Sequence, residues 1–112
     1  MSVYVHQTFE IKQDQFSEAI ENVRSIQSYR NENYEHRLEL LSPISGEDYK
    51  YAFLAIYEGL AEMELQSKKM FEDEEYKKLI TEFMTEDIVQ GSLYTQMYRT
   101  MTGLKIESDS KE

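Results

Sequence analysis

Two histidines and a set of tyrosines carry most of the chemistry this chain could perform. His6 sits in VYVHQTFE, where apolar and polar residues alternate. An imidazole there could give or take a proton near neutral pH. No acid or nucleophile stands at a diagnostic spacing from it, which favours a hydrogen-bonded histidine within an aromatic interface over a working acid or base. Glu10 or Glu39 could orient it only if the fold brings them near. His36 lies between Glu35 and Arg37. One imidazole beside one carboxylate falls short of the three or four ligands of a zinc site, and no metal is expected. The tyrosines Tyr51, Tyr57, Tyr94 and Tyr98 could line a pocket for an apolar or aromatic molecule, their hydroxyls setting its orientation. They could equally pack an interface between two copies of the chain. The candidate site is therefore His6 as acid or base, with Tyr4, Thr8, Arg37, Tyr51, Phe53, Tyr57, Ser92, Tyr94 and Tyr98 lining a pocket around it.

The elements that would position these groups follow from hydrophobic periodicity. Val3 to Ile11 alternates as a strand, with Val3, Val5, Phe9 and Ile11 on one face and Tyr4, His6, Thr8 and Glu10 on the other. Asp14 is placed to cap a helix in which Phe16, Ala19, Ile20, Val23 and Ile26 recur at helical spacing. Asn31-Glu32-Asn33 is expected to end it. Arg37 to Ser42 reads as a second strand, with Leu38 and Leu40 on one face. Pro43 and Gly46 punctuate a turn, and Tyr49 to Tyr57 is a third strand. Its Ala52, Leu54 and Ile56 are expected under the helices, and its Tyr49, Tyr51, Phe53 and Tyr57 on the opposite face.

After Gly59 a long helical stretch carries two apolar stripes separated by Glu72-Asp73-Glu74-Glu75. Acids favour the positive start of a helix, and Asp73 can cap one, so two helices or one kinked helix are expected. This acidic run lacks the glycine and ligand spacing of a calcium loop. Ile88 to Met101 reads as a fourth strand, in which Gly91 suggests a bulge or a close backbone approach. Residues 1–102 are expected to form a single domain and the polar stretch 103–112 a disordered tail.

The order β-α-β-β-α-β predicts a ferredoxin-like α+β fold, a four-stranded antiparallel sheet with both helices on one side. The bare aromatic face then calls for a second copy, and two such sheets can close into a dimeric α/β barrel. The methionines at Met63, Met70, Met84, Met97 and Met101 read as core filling.

Composition bounds the partners. A net charge of −10, with no clustered lysine or arginine, argues against nucleic acid and anionic membranes. The absence of cysteine rules out disulfides and thiol chemistry and suits the cytoplasm. No signal peptide is read at the N-terminus and no apolar run is long enough to span a bilayer. Glycine-rich phosphate loops and a serine-hydrolase elbow are also absent.

VYVHQTFEIKQDQF resembles the first strand and helix start of NIPSNAP-like proteins of the dimeric α/β-barrel superfamily. AFLAIYEGLAEMELQSKKMFEDEEYKKLI resembles that family's third strand running straight into a helix, and Phe71 to Tyr76 resembles its acidic stretch before an aromatic. The resemblance spans roughly residues 3–101 and is weakest from Asn31 to Lys50. The family often carries tryptophan where this chain has Tyr57 or Tyr76, and this chain has none. The superfamily includes cofactor-free monooxygenases of antibiotic biosynthesis, haem-degrading monooxygenases and isomerases of the muconolactone type. The haem-degrading members use a tryptophan and a helical histidine, which this sequence lacks. The resemblance implies a fold more than a function. The first reading is a homodimer without cofactor that binds a small apolar or aromatic molecule in the cavity of the sheet's inner face. The alternatives are a cofactor-free monooxygenase or isomerase using His6, and a purely structural dimer with its inner face filled.

Overall fold

The structure is a computed structural model and describes residues 1–101. Strands β1 (Val3–Glu10), β2 (Arg37–Leu41), β3 (Lys50–Tyr57) and β4 (Tyr94–Arg99) form one antiparallel sheet in the order β2-β3-β1-β4. Helix α1 (Phe16–Asn33) joins β1 to β2, and α2 (Leu60–Phe71) and α3 (Glu74–Glu82) lie between β3 and β4. This is the ferredoxin-like α+β fold expected, with β1 and β3 central. The polar stretch from residue 103 lies outside the described residues.

The boundaries differ from the expected ones in ways that have local causes. Asp14 does not cap α1; it sits in a short 3-10 turn, Gln13–Gln15, and α1 starts without a side-chain cap. α1 ends within Asn31-Glu32-Asn33 as expected, at Asn33. The Asn31 side chain pairs with the edge of β2, accepting from the Leu38 N–H at 2.8 Å and donating to the Leu38 carbonyl at 3.0 Å. Gln27 donates to that same carbonyl at 3.1 Å, so α1 seals the outer edge of the sheet. Asp73 does cap: its carboxylate accepts from the Tyr76 N–H at 3.2 Å, and α2 and α3 are separate helices. A π-helical turn, Phe83–Asp87, follows α3. Ile88 makes only an isolated bridge to Ile11, and Gly91 is in a turn with φ of 80°, a backbone glycine adopts without strain. The fourth strand is therefore shorter than its hydrophobic pattern.

One expectation is reversed. In the register of β1 with β3, Phe9 lies opposite Tyr51, Gln7 opposite Phe53, Val5 opposite Ala55 and Val3 opposite Tyr57. Residues directly opposite share a face. The aromatic side of β3 therefore points with Val3, Val5 and Phe9 toward the helices, and Ala52, Leu54 and Ile56 point away. Phe53 is 3% exposed and packs 5.1 Å from Phe9 and 5.7 Å from Phe83, ring centre to ring centre. Both faces of β3 are apolar, so alternation defined two sides but not which one turned inward. Aromatic bulk is what fills the space beneath these helices.

The side of the sheet away from the helices carries Tyr4, His6 and Thr8 from β1, Leu54 and Ile56 from β3, and Tyr94 and Tyr98 from β4. Among the described residues no helix covers it, and Tyr94 is 62% exposed. Nor is any described helix long and apolar enough to cross a membrane.

Candidate functional site

A cavity of about 660 Å³ lies between the sheet and the α2–α3 layer. Val5, Phe53 and Met97 from the strands, Met63 and Met70 from α2, and Ile80, Phe83 and Met84 from α3 and its π turn make its apolar wall. Phe71 and Lys77 stand at its rim, the Lys77 ammonium 5.5 Å from the Phe71 ring centre and 3.3 Å from the Glu74 carboxylate. The size suits a drug-sized organic molecule, for which pockets of roughly 300–1,000 Å³ are usual.

The polar part of the cavity is built on Arg30. Ala19, Val23, Ile26 and Arg30 are the buried residues of α1, spaced by four, three and four. The apolar stripe of the helix thus delivers a guanidinium into the interior, where it is 6% exposed. Arg30 Nε donates to His36 Nε2 at 3.0 Å, and its terminal nitrogens donate to the Tyr57 hydroxyl at 3.2 Å and the Tyr76 hydroxyl at 3.4 Å. Arg30, Tyr57 and Tyr76 all line the cavity. Among the described residues each hydrogen-bond partner of Arg30 is neutral, and the ion pairs lie elsewhere, Arg37 with Glu39 and Lys77 with Glu74.

The surroundings hold these partners in their neutral forms. His36 is itself 6% exposed and stacks on Tyr57 at 4.6 Å. Burial, reinforced by the Arg30 charge, brings its pKa down to about 4. Because Nε2 accepts from Arg30, the imidazole proton resides on Nδ1, which is buried without a partner among the described residues. Burial also raises the Tyr57 and Tyr76 hydroxyls, outweighing the opposing pull of Arg30, so both remain protonated.

Asp73 positions Tyr76 over Arg30. Tyr29 donates to its carboxylate at 2.7 Å, Tyr34 donates to the same oxygen, and the Tyr76 N–H binds the other oxygen. The Tyr34 bond, then the Tyr29 bond, hold Asp73 below the usual carboxylate range. The Tyr29 hydroxyl is pushed up to about 12, chiefly by its bond to Asp73, and burial raises that of Tyr34. Together these bonds tie the start of α3 to the end of α1.

The residues proposed from sequence divide between the two faces. Phe53 and Tyr57 line the cavity, whereas Tyr51 packs on Phe16 at 6.1 Å outside it. His6, Tyr4, Thr8, Tyr94 and Tyr98 lie together on the uncovered face. Arg37 is on that same face, paired with Glu39 on β2. Ser92 belongs to the turn before β4, accepting from the Glu10 N–H at 3.1 Å and donating to the Val89 carbonyl at 2.7 Å. They do not form one pocket, because β3 presents its aromatic side to the helices. Arg30 and His36 were not among the candidate site residues, although the stripe of α1 continued by four residues past Ile26 lands on Arg30.

No group of three or more histidine, cysteine, aspartate or glutamate side chains is arranged to hold a metal ion among the described residues. The arrangement defines a sheet-and-helix domain with one helix-side cavity and one open sheet face.

The same fold occurs in solved structures. An uncharacterised NIPSNAP domain protein from Burkholderia xenovorans matches with a TM-score of 0.72 over 89% of this chain and 94% of its own, at 14% identity. A NIPSNAP family protein from Agrobacterium tumefaciens matches at 0.68 over 89% and 86%, also at 14% identity. A variant of SnoaB, a cofactor-independent oxygenase from Streptomyces nogalater, matches at 0.68 over 89% and 93%, at 10% identity. Neither a protein-family model nor a curated protein matches the sequence. The likeness to NIPSNAP-like proteins drawn from the sequence is thus met in the fold.

Proposed function

We propose that this protein is a homodimer that binds a small, largely apolar molecule in the helix-side cavity of each protomer. The observation that carries the ligand is the combination of a cavity of about 660 Å³ with a buried guanidinium at its wall. Apolar walls supply affinity and a few fixed polar groups supply orientation. The cavity lining includes no aspartate, glutamate or histidine among the described residues. Its Tyr57 and Tyr76 hydroxyls are held protonated by burial and Lys77 is paired with Glu74, which supports binding over acid–base chemistry. The likeness to a cofactor-independent oxygenase keeps oxygenation as the second reading.

The uncovered sheet face supports the dimer. Tyr4, Leu54, Ile56, Tyr94 and Tyr98 form an apolar and aromatic patch, bordered by His6, Thr8 and the Arg37–Glu39 pair, of the kind that marks an interaction site, and the same patch on a second copy complements it. His6 belongs to that interface in this reading. The cysteine-free composition supports a cytoplasmic setting.

Native mass spectrometry of the protein purified from its source tests both parts. A dimer retaining a small organic molecule is the expected result. A monomer at all concentrations would overturn the dimer. A ligand-free protein that also takes up no compound from a panel of small aromatics would overturn the binding role.

A further inference from the structure

The cavity carries a charge of definite sign in a chain that is otherwise acidic. Acidic residues outnumber basic ones by 22 to 12, yet among the described residues the lining includes Arg30 and Lys77 and no carboxylate. We infer that the molecule held there is an amphipathic organic acid, its anionic oxygen facing Arg30 and its apolar body against Phe53, Met63 and Met70. This deepens the ligand-binding reading above and rests on it.

The argument begins with Arg30. A cation buried to 6% exposure normally has a carboxylate partner, because desolvation is otherwise uncompensated. Arg30 has the Tyr57 and Tyr76 hydroxyls and His36 Nε2 instead. None of these can become its counter-ion. Burial keeps both phenols protonated, and an imidazole whose pKa is about 4 is neutral near pH 7 and would add positive charge if it did ionise. The described bonds use three of the five N–H groups a guanidinium offers, and the planar fork suits a carboxylate or other oxyanion. Asp73 is engaged by Tyr29, Tyr34 and the Tyr76 N–H. Its negative charge is spent on aligning α3. The ligand is then the missing counter-charge. Lys77 also lines the cavity but is paired with Glu74 at 3.3 Å, so the charge that faces the ligand is that of Arg30.

The test compares two probes of nearly equal shape, naphthoate and naphthamide, titrated calorimetrically into the full chain near neutral pH. The carboxylate is expected to bind about tenfold or more tightly than the amide, the size of a charge-assisted bond to a guanidinium. This comparison uses the unaltered protein and does not depend on a variant folding. Arg30→Gln should abolish the preference for the carboxylate, and Met63→Trp, which fills the cavity, should weaken both probes. Equal binding of the two probes would overturn the inference and leave the cavity reading standing. A carboxylate preference that persists in Arg30→Gln, or carboxylate binding that is untouched by Met63→Trp, would overturn it by locating the anion elsewhere. Failure of both probes to bind up to millimolar concentration would overturn the cavity reading with it.

Discussion

Acid should destabilise this protein through His36 before general carboxylate protonation takes over. The folded imidazole has a pKa of about 4 against an ordinary value of 6.5. Between those values the unfolded chain binds a proton that the folded chain refuses. The sign follows directly: a depressed folded pKa contributes stability that is complete above pH 6.5 and is lost as the pH falls toward 4. At about 1.4 kcal/mol per pKa unit, the loss between about pH 7 and pH 4 is roughly 2–3 kcal/mol. His36 is 6% exposed, so solvent screens little of this. Protonation would place an imidazolium against Arg30, two cations in one buried cluster, and would remove the acceptor that Arg30 Nε uses. The assay is urea unfolding across this range for the native chain and for His36→Gln. The glutamine carbonyl can accept from Arg30 but does not titrate. Carboxylates contribute equally to both proteins, so the difference in slope belongs to His36. Parallel dependence of the two proteins on pH would refute the reasoning.

Four other substitutions separate the parts of the structure. Leu54→Arg, on the uncovered face, should shift sedimentation from dimer toward monomer with the fold retained; an unchanged dimer would place the interface elsewhere. Phe53→Arg, one residue away but facing Phe9 and Phe83, should instead cost more than about 3 kcal/mol and unfold the chain, as circular dichroism would register. Gln66 is fully buried, accepting from the Glu35 N–H at 3.0 Å and donating to Glu62 at 2.7 Å. Gln66→Leu should therefore lower the unfolding free energy by about 1–3 kcal/mol, and an unmoved denaturation midpoint would contradict that hydrogen bond's importance. His6→Ala should leave naphthoate binding unaltered and weaken self-association; loss of probe binding with the dimer intact would move the site to the open face.

Local periodicity carried the fold. The alternation in Val3 to Ile11, the helical stripe from Phe16 to Ile26, and the acids before Tyr76 each act within a few residues of themselves, and the strand order β2-β3-β1-β4 follows once the elements are placed in sequence. Tyr4, His6, Tyr94 and Tyr98 were legible as one face for the same reason. Ser92 was not, because its hydroxyl belongs to a turn that the apolar residues around it disguised as strand.

The sequence by itself determined an α+β domain with two kinds of sheet face and an unusual supply of tyrosine. Tertiary structure alone decided which face of β3 turned inward, since both sides of Tyr49 to Tyr57 are apolar and only packing against Phe9 and Phe83 distinguishes them. It also decided the site. Arg30, His36, Tyr57 and Tyr76 come from four different elements or their flanks, and no spacing along the chain relates them. The pattern of α1 could place a cation on the inward side of the helix, but only the fold surrounds it, among the described residues, with hydroxyls and an imidazole, and that is a property of what surrounds a residue in space.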